Sequence, residues 1–385
     1  MKLLAVDQDA ICARDRGLWR ALRDRTGIEN ILVVPERWRV NGQLVRAEPE
    51  NTSLCVIPVA AVLAGRSHRA FYPALQRLVR KMNPDILYVN AEPESFLGFQ
   101  GAYIKRCTGA SLKYVMMSWR NIDYPQGGFP YKLARVHDWA EKYSLGTADA
   151  CIARSSDAAE ILGKRGFGKS VVIPPAVDLS VFYPADGDRG SADGRNNRWV
   201  AGYVGRIDEQ KGIDTLLKAV SSLDPGVSVL IAGEGPAKEN LQRLARSLGM
   251  AERVMWEPAV PHSQVRELFT RLDALVLPSH TGIVWKEQFG RVLIESMACG
   301  VPVIGSDSGE IPDVIGDAGI IVPEGDPRAL AGSLLHLRDN EQLCRDLIAR
   351  GLSRVERHFC IDAVLPQYQE LFTRIAGEPS AGTTS

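Results

Sequence analysis

From residue 2 to residue 322, short β-branched and aliphatic runs alternate with helical patterns, and that alternation confines the chain to parallel sheets wrapped by helices. In the first half the expected strands are 2–6, 30–34, 85–89, 113–117, 150–153 and 171–174, with helices over 16–25, 72–82 and 132–145. The pattern restarts with strands at 199–204, 228–232, 253–256, 274–277, 302–306 and 319–322. At 385 residues the chain is expected to form two doubly wound α/β domains, each with its own core.

The expected division is 1–184 for an N-terminal Rossmann-like domain, 185–198 for a linker rich in Gly, Asp and Arg, and 199–360 for a C-terminal Rossmann-like domain. Residues 361–375 read as a C-terminal helix packing back toward the N-terminal domain, and 376–385 as a disordered tail. Open α/β sheets bind ligands beyond the carboxyl ends of their strands, so two such domains facing each other are expected to enclose an interdomain cleft.

The 46 Lys and Arg residues balance 46 Asp and Glu, which gives the chain no electrostatic reason to seek nucleic acid. The halves differ: residues 1–185 carry 25 basic against 18 acidic side chains, a net of +7, leaving 21 against 28 and a net of −7. Either the basic half meets an anionic partner or the asymmetry stabilises contact between the halves. Seven dispersed cysteines without a CxxC pair indicate buried thiols of a reducing cytosol, not a disulfide framework or zinc site. No segment approaches 18 uninterrupted apolar residues, and the apolar start is broken by Asp7 and Asp9, so neither a membrane span nor a signal peptide is expected.

The most informative stretch is 285–323, WKEQFGRVLIESMACGVPVIGSDSGEIPDVIGDAGIIVP. A turn at Phe289 and Gly290 opens a helix that runs through Ala298 and is stopped by Gly300 and Pro302. Apolar residues surround Glu295 in that helix, so its carboxylate requires partners; the bland alternative is a narrow exposed stripe. Glu287 lies in the loop before the helix, and the two carboxylates are therefore placed to address different parts of one ligand. Backbone amides of Phe289, Gly290 and Arg291 would present a helix N-terminus to a phosphate.

A second constellation is GYVGRIDEQKGID, 202–214, where a strand runs through Gly205 to Arg206 and then to Lys211. A guanidinium fork and an ammonium together suit a diphosphate, although two solvated surface cations would share the spacing. Gly233 in AGEGP supplies a further glycine turn at a strand end.

These motifs, together with the trailing GIIVPEGDP, resemble family 4 of the retaining glycosyltransferases, whose fold is GT-B; the resemblance is dense over 200–335 and weak before it. It implies that Arg206 and Lys211 bind the diphosphate, that Glu295 binds ribose, and that Glu287 lies beside the donor sugar, with Phe289, Gly290 and Arg291 against sugar and phosphates. The base would be read near WEPAV, at Pro258 and Val260. No metal or other cofactor is expected, because the cations and helix N-termini take its place. The first half departs from the pattern: only Gly17 stands near the turn where two glycines are usual, and Ser118-Trp119-Arg120-Asn121 replaces a histidine-bearing segment. Arg120 and Asn121 are candidates to substitute for that histidine, and Asn90, Glu92 and Glu94 for acceptor contacts.

The resemblance implies a retaining transferase moving a sugar from a nucleotide-sugar, with a UDP-sugar ahead of GDP-mannose, to a saccharide or lipid-linked hydroxyl by a front-face route. The alternatives are a UDP-sugar epimerase of the same fold, for which none of the six histidines is suitably placed, and a non-catalytic nucleotide-sugar-binding subunit. The basic segment 62–82, with Phe71, Leu75, Leu78 and Val79, reads either as a peripheral contact with the inner face of the cell membrane or as a packed helix with a solvated face. A cytoplasmic protein is expected in both cases.

Overall fold

The computed structural model describes residues 1–40, 43–124, 133–185 and 198–377; the expected linker and tail lie largely outside the described residues. The chain folds as two compact units, one formed by 1–176 together with 361–385 and the other by 177–360. The division falls at Ala176 rather than at 184. Val177 donates its backbone N–H to the Phe359 carbonyl, and Phe182 packs against Phe269, so this stretch already belongs to the second unit.

In the first unit β1 (Lys2–Val6), α1 (Gly17–Thr26), β2 (Glu29–Pro35), a hairpin of β3 (Arg37–Val40) and β4 (Gln43–Arg46), and β5 (Cys55–Val59) come first. They are followed by α2 (Leu75–Met82), β6 (Ile86–Val89), α3 (Phe96–Thr108), β7 (Lys113–Ser118), α4 (Ala134–Leu145), β8 (Ala150–Ala153), α5 (Ser156–Lys164) and β9 (Ser170–Val172). The main sheet has the order β5-β2-β1-β6-β7-β8-β9, and its neighbouring strands are parallel. Successive residues of β1 enter different clusters: Leu3 and Ala5 pack with Trp19 and Leu22 of α1, Leu4 and Val6 with Leu75 and Val79 of α2. Both faces are therefore buried, as a parallel sheet requires.

That packing decides the reading of 62–82. Leu75 and Val79 are fully buried against the sheet, so α2 is a core helix and its apolar face does not meet a membrane. β5 and the β3–β4 hairpin were not expected from the sequence. Pro58 interrupts CVIPV, and the hairpin's RWRV carries Arg37 and Arg39, which conceal the short strands.

The second unit contains β10 (Trp199–Val204), α6 (Ile213–Ser221), β11 (Val227–Ala232), α7 (Lys238–Ser247), β12 (Val254–Glu257), α8 (Val265–Phe269) and β13 (Ala274–Leu277). It continues with α9 (Arg291–Ala298), β14 (Val303–Ser306), α10 (Ile311–Ile315), β15 (Gly319–Val322), α11 (Pro327–Asp339) and α12 (Glu341–His358). Its parallel order, β12-β11-β10-β13-β14-β15, reverses direction between β10 and β13, and such a switch point opens a crevice at the strands' carboxyl ends.

The last helix, α13 (Ile361–Gly377), belongs to the first unit. Val364, Leu365, Tyr368, Leu371, Phe372 and Ile375 repeat at helical spacing and pack in the cluster that contains Leu3, Trp19 and Tyr88. Among the described residues, no helix is long and apolar enough to cross a membrane. Cys12, Cys151, Cys299 and Cys360 are buried, and none of the seven cysteines is in a disulfide.

Candidate functional site

The carboxyl ends of β10, β11 and β13 carry most of the candidate residues of the second unit. After β10 the chain passes Gly205 and Arg206 and makes a one-turn 3-10 helix, Glu209–Lys211, before α6 begins. The buried Tyr203 hydroxyl donates to the Arg206 carbonyl at 2.5 Å and pins this turn; burial pushes the phenol well above its ordinary pKa. Gly233, which follows β11, has φ 149°, and a Cβ there would lie 1.9 Å from the Gly205 carbonyl oxygen, so the two glycine turns pack backbone to backbone.

Lys211 reaches across to the loop before α9, where its Nζ lies 2.7 Å from Glu287 Oε2. The Ser279 hydroxyl, just beyond β13, donates to the same oxygen at 2.8 Å. The Trp285 ring centroid is 4.8 Å from the Lys211 ammonium, so the cation touches both a carboxylate and an aromatic face. His280 is fixed by its backbone N–H to the Gln210 carbonyl at 2.8 Å, and its ring lies 3.2 Å from Thr215 Oγ1. Hydrogen bonds from His280 and Lys218, acting against partial burial, hold Asp214 well below the usual carboxylate range.

Gly290 caps α9 with left-handed dihedrals (φ 78°, ψ 55°), which favour glycine and leave the first amides of the helix free of a side-chain cap. Phe289 is buried edge-on against Phe359, with ring centroids 5.7 Å apart, and Arg291 starts the helix with its side chain half exposed. Glu295 is buried and has the partner its position demands: His262 Nε2 lies 2.9 Å from its Oε1. Pro258 and Val260 follow β12, with Pro258 exposed.

The structure thus brings Lys211 and Glu287 together, and places Glu295 and Gly290 on one short helix. Arg206 is different. Its side chain is 73% exposed and its Nε donates to Asp208 on the same loop at 2.7 Å, so it meets its own neighbour and not Lys211's carboxylate. Four residues were missed: Ser279 and His280 were signalled by their place directly after a strand, Trp285 opens the stretch 285–323 but was given no role, and His262 carries no motif. Among the described residues no group of three or more His, Cys, Asp or Glu side chains is arranged to hold a metal ion.

In the first unit the candidates have internal partners. Asn90 donates to Asp7 at 2.5 Å and to Asp9 at 3.1 Å, and Trp19 Nε1 donates to the other Asp7 oxygen. Glu92 accepts from the Ser118 hydroxyl at 2.8 Å and the Trp119 N–H at 2.7 Å, joining the ends of β6 and β7. Arg120 is buried, pairs with Glu141 and donates to the Ile122 carbonyl. Asn121 is buried beside it. Glu94 is buried 3.9 Å from His68 Nδ1; burial, with the nearby Glu92 charge, raises its pKa to about 8. Gly17 forms no turn: its φ of −51° is helical, and the chain reverses instead through the 3-10 turns Asp9–Ile11 and Ala13–Arg16.

A parallel sheet with charged loops at its switch point defines an α/β protein of the doubly wound class. Residues 188–354 match the model of glycosyl transferases group 1, and 17–181 that of Glycosyltransferase Family 4. The chain belongs to the family 4, group 1 glycosyltransferases. It is similar to D-inositol 3-phosphate glycosyltransferase of Thermomonospora curvata, 32% identical over 68% of this chain and 64% of the relative. The chain spans less than two thirds of the length of that relative and of the next two, at 60% and 57%. Among solved structures, sucrose-phosphate synthase from Thermosynechococcus elongatus superimposes with a TM-score of 0.75 at 20% identity, covering 97% of this chain and 99% of that one. Anabaena HepE in complex with UDP gives 0.74 at 17%, covering 97% and 100%. These likenesses establish the GT-B fold.

Proposed function

We propose that the protein transfers a sugar, with retention, from a nucleotide-sugar donor to a saccharide or lipid-linked hydroxyl. The observation that carries this reading is the Lys211–Glu287 pair at the switch-point crevice, backed by Ser279 and Trp285 and next to the Gly290 cap. The HepE structures hold UDP and UDP-glucose, which supports a UDP-sugar ahead of GDP-mannose.

The chemistry follows from charge. As the glycosidic C–O bond breaks, negative charge grows on the β-phosphate and positive charge on the anomeric carbon. Lys211 and the amides at the start of α9 stabilise the first, and Glu287 faces the sugar that develops the second. Arg206 contributes once a phosphate replaces Asp208 as its partner. The acceptor hydroxyl attacks on the face the diphosphate leaves and passes its proton to a phosphate oxygen, so no protein nucleophile is required. Glu295 accepts from ribose hydroxyls, and the backbone at Pro258 and Val260 reads the base. Charge neutralisation by side chains and amides makes the reaction metal-independent. Peripheral contact of the basic first unit with a membrane surface completes the reading.

The test is to incubate the protein with UDP-, GDP- and dTDP-sugars and measure nucleoside diphosphate release with and without acceptor. Acceptor-dependent release supports transfer. Release or isomerisation without acceptor, or binding alone, overturns it.

A further inference from the structure

Helices α3 and α4 of the first unit share an aromatic face that the described residues do not cover. Phe99 lies at its centre, with ring centroids 4.8 Å from Trp139, 5.0 Å from Tyr143 and 6.4 Å from Tyr103. Phe99 and Tyr103 are one turn apart on α3, while Val136, Trp139 and Tyr143 stand at i, i+3 and i+7 on α4, so each helix presents one stripe. Burial does not claim these side chains: Trp139 is 55% exposed, Tyr103 47% and Val136 41%. Contiguous aromatic surface of this kind marks an interaction site on a soluble domain.

The surrounding charge selects the occupant. Arg106 stacks over Tyr143 with its guanidinium 4.8 Å from the ring, and Arg135 and Lys142 stand exposed on α4. Helix α3 contains no acidic residue. Of the two on α4, Glu141 is buried against Arg120 and Arg165, which leaves the half-buried Asp138. A second copy of the chain would bring two cationic rims together and be repelled. Trp and Tyr rings instead settle at the boundary between acyl chains and headgroups, and each basic residue beside an anionic membrane adds roughly fivefold to binding.

We propose that the α3–α4 face, with Tyr103, Trp139 and Tyr143 as anchors and Arg106, Arg135 and Lys142 as rim, docks the protein on an anionic lipid surface. The inference rests on the membrane-contact part of the proposed function and moves that contact from segment 62–82 to these helices.

The test is flotation of the full chain, at low salt, with vesicles of phosphatidylglycerol and phosphatidylcholine in equal parts, and with phosphatidylcholine alone. The wild type is expected to float with the anionic vesicles and to bind the neutral ones at least about tenfold more weakly. The double variant Tyr103→Ser, Trp139→Ser is expected to lose binding by about tenfold or more while its melting temperature and its diphosphate release with a soluble acceptor stay unchanged. Absence of wild-type flotation overturns the proposal, as does equal flotation of the variant. So does a wild-type dimer, seen by light scattering, that the variant dissolves. Loss of diphosphate release in the wild type instead sinks the transferase reading and leaves this result to be judged separately.

Discussion

Lys211 Nζ lies 2.7 Å from Glu287 Oε2, an ion pair that ties the loop after β10 to the loop before α9. Both side chains are largely buried, so each compensates the desolvation of the other. Removing one strands its partner. Lys211→Ala should therefore lower diphosphate release by about two to three orders of magnitude and also cost up to about 3 kcal/mol of stability. Glu287→Gln keeps hydrogen-bonding capacity toward Ser279 and Lys211 and should lose activity with a smaller stability change. Turnover and thermal denaturation measured side by side separate the two effects; near-normal turnover in either variant would contradict the assignment.

Trp285 bears on the same cation. With its ring centroid 4.8 Å from Lys211 Nζ, the indole restricts where the ammonium can point. Trp285→Ala is expected to reduce kcat about tenfold, with little change in donor KM, because the cation is needed most when charge develops on the leaving group. Trp285→Phe retains an aromatic face and should recover most of the rate. If Phe and Ala behave alike, the ring has only a packing role.

Glu295 is expected to act on binding rather than on the chemical step. Its Oε1 is held by His262 at 2.9 Å, which orients the carboxylate from a neighbouring 3-10 turn. Glu295→Gln should weaken UDP binding by about tenfold, the loss of one charge-assisted hydrogen bond, and His262→Ala by less. Calorimetric titration with UDP reads both, and an unchanged affinity for Glu295→Gln would remove the ribose assignment.

Legibility in the sequence followed physical locality. The strands of the second sheet, the capped helix α9 and the place of Glu295 on it follow from periodicity and glycine, which act over a few residues. The Lys211–Glu287 contact joins positions 76 residues apart, and only the sheet order brings them together. Arg120 behaves alike: no local pattern announces its ion pair with Glu141 on α4. The apolar stripe of α2 was visible as periodicity, yet periodicity does not say whether a stripe meets a core or a membrane; the burial of Leu75 and Val79 does.

The carboxylates nearest the crevice are already engaged, Glu287 by Lys211 and Ser279 and Asp208 by Arg206. Neither offers an uncommitted oxygen pair to a divalent ion without losing its cation. Diphosphate release should consequently be insensitive to EDTA and to added Mg²⁺. An EDTA-sensitive rate restored by Mg²⁺ would show that the metal-independent reading is wrong.

The first unit carries buried acid groups whose pH dependences run in opposite directions. Burial, reinforced by Glu92, raises Glu94 from an ordinary 4.5 to about 8, so the folded state holds a proton that the unfolded chain has released above about pH 4.5. Its stabilising proton is fully retained in both states only at lower pH, and stability falls as pH rises from there through about 8, by at most about 1.4 kcal/mol per pH unit. Glu50 is the reverse: burial opposes ionisation, but hydrogen bonds from Arg20, Thr52 and Arg16 outweigh it and lower the carboxyl to about 2. That contribution is present above about pH 4.5 and is lost toward pH 2. His68, lowered to about 4 by burial and then by His137, adds a loss of stability on acidification below about pH 6.5. Between about pH 6.5 and 8 only Glu94 of these three titrates, so the decline in that window should vanish in Glu94→Gln and persist in Glu50→Gln. Chemical denaturation of the full chain at closely spaced pH values, followed through the transition of the first unit, reads the slope. A decline that survives Glu94→Gln would assign it to another group.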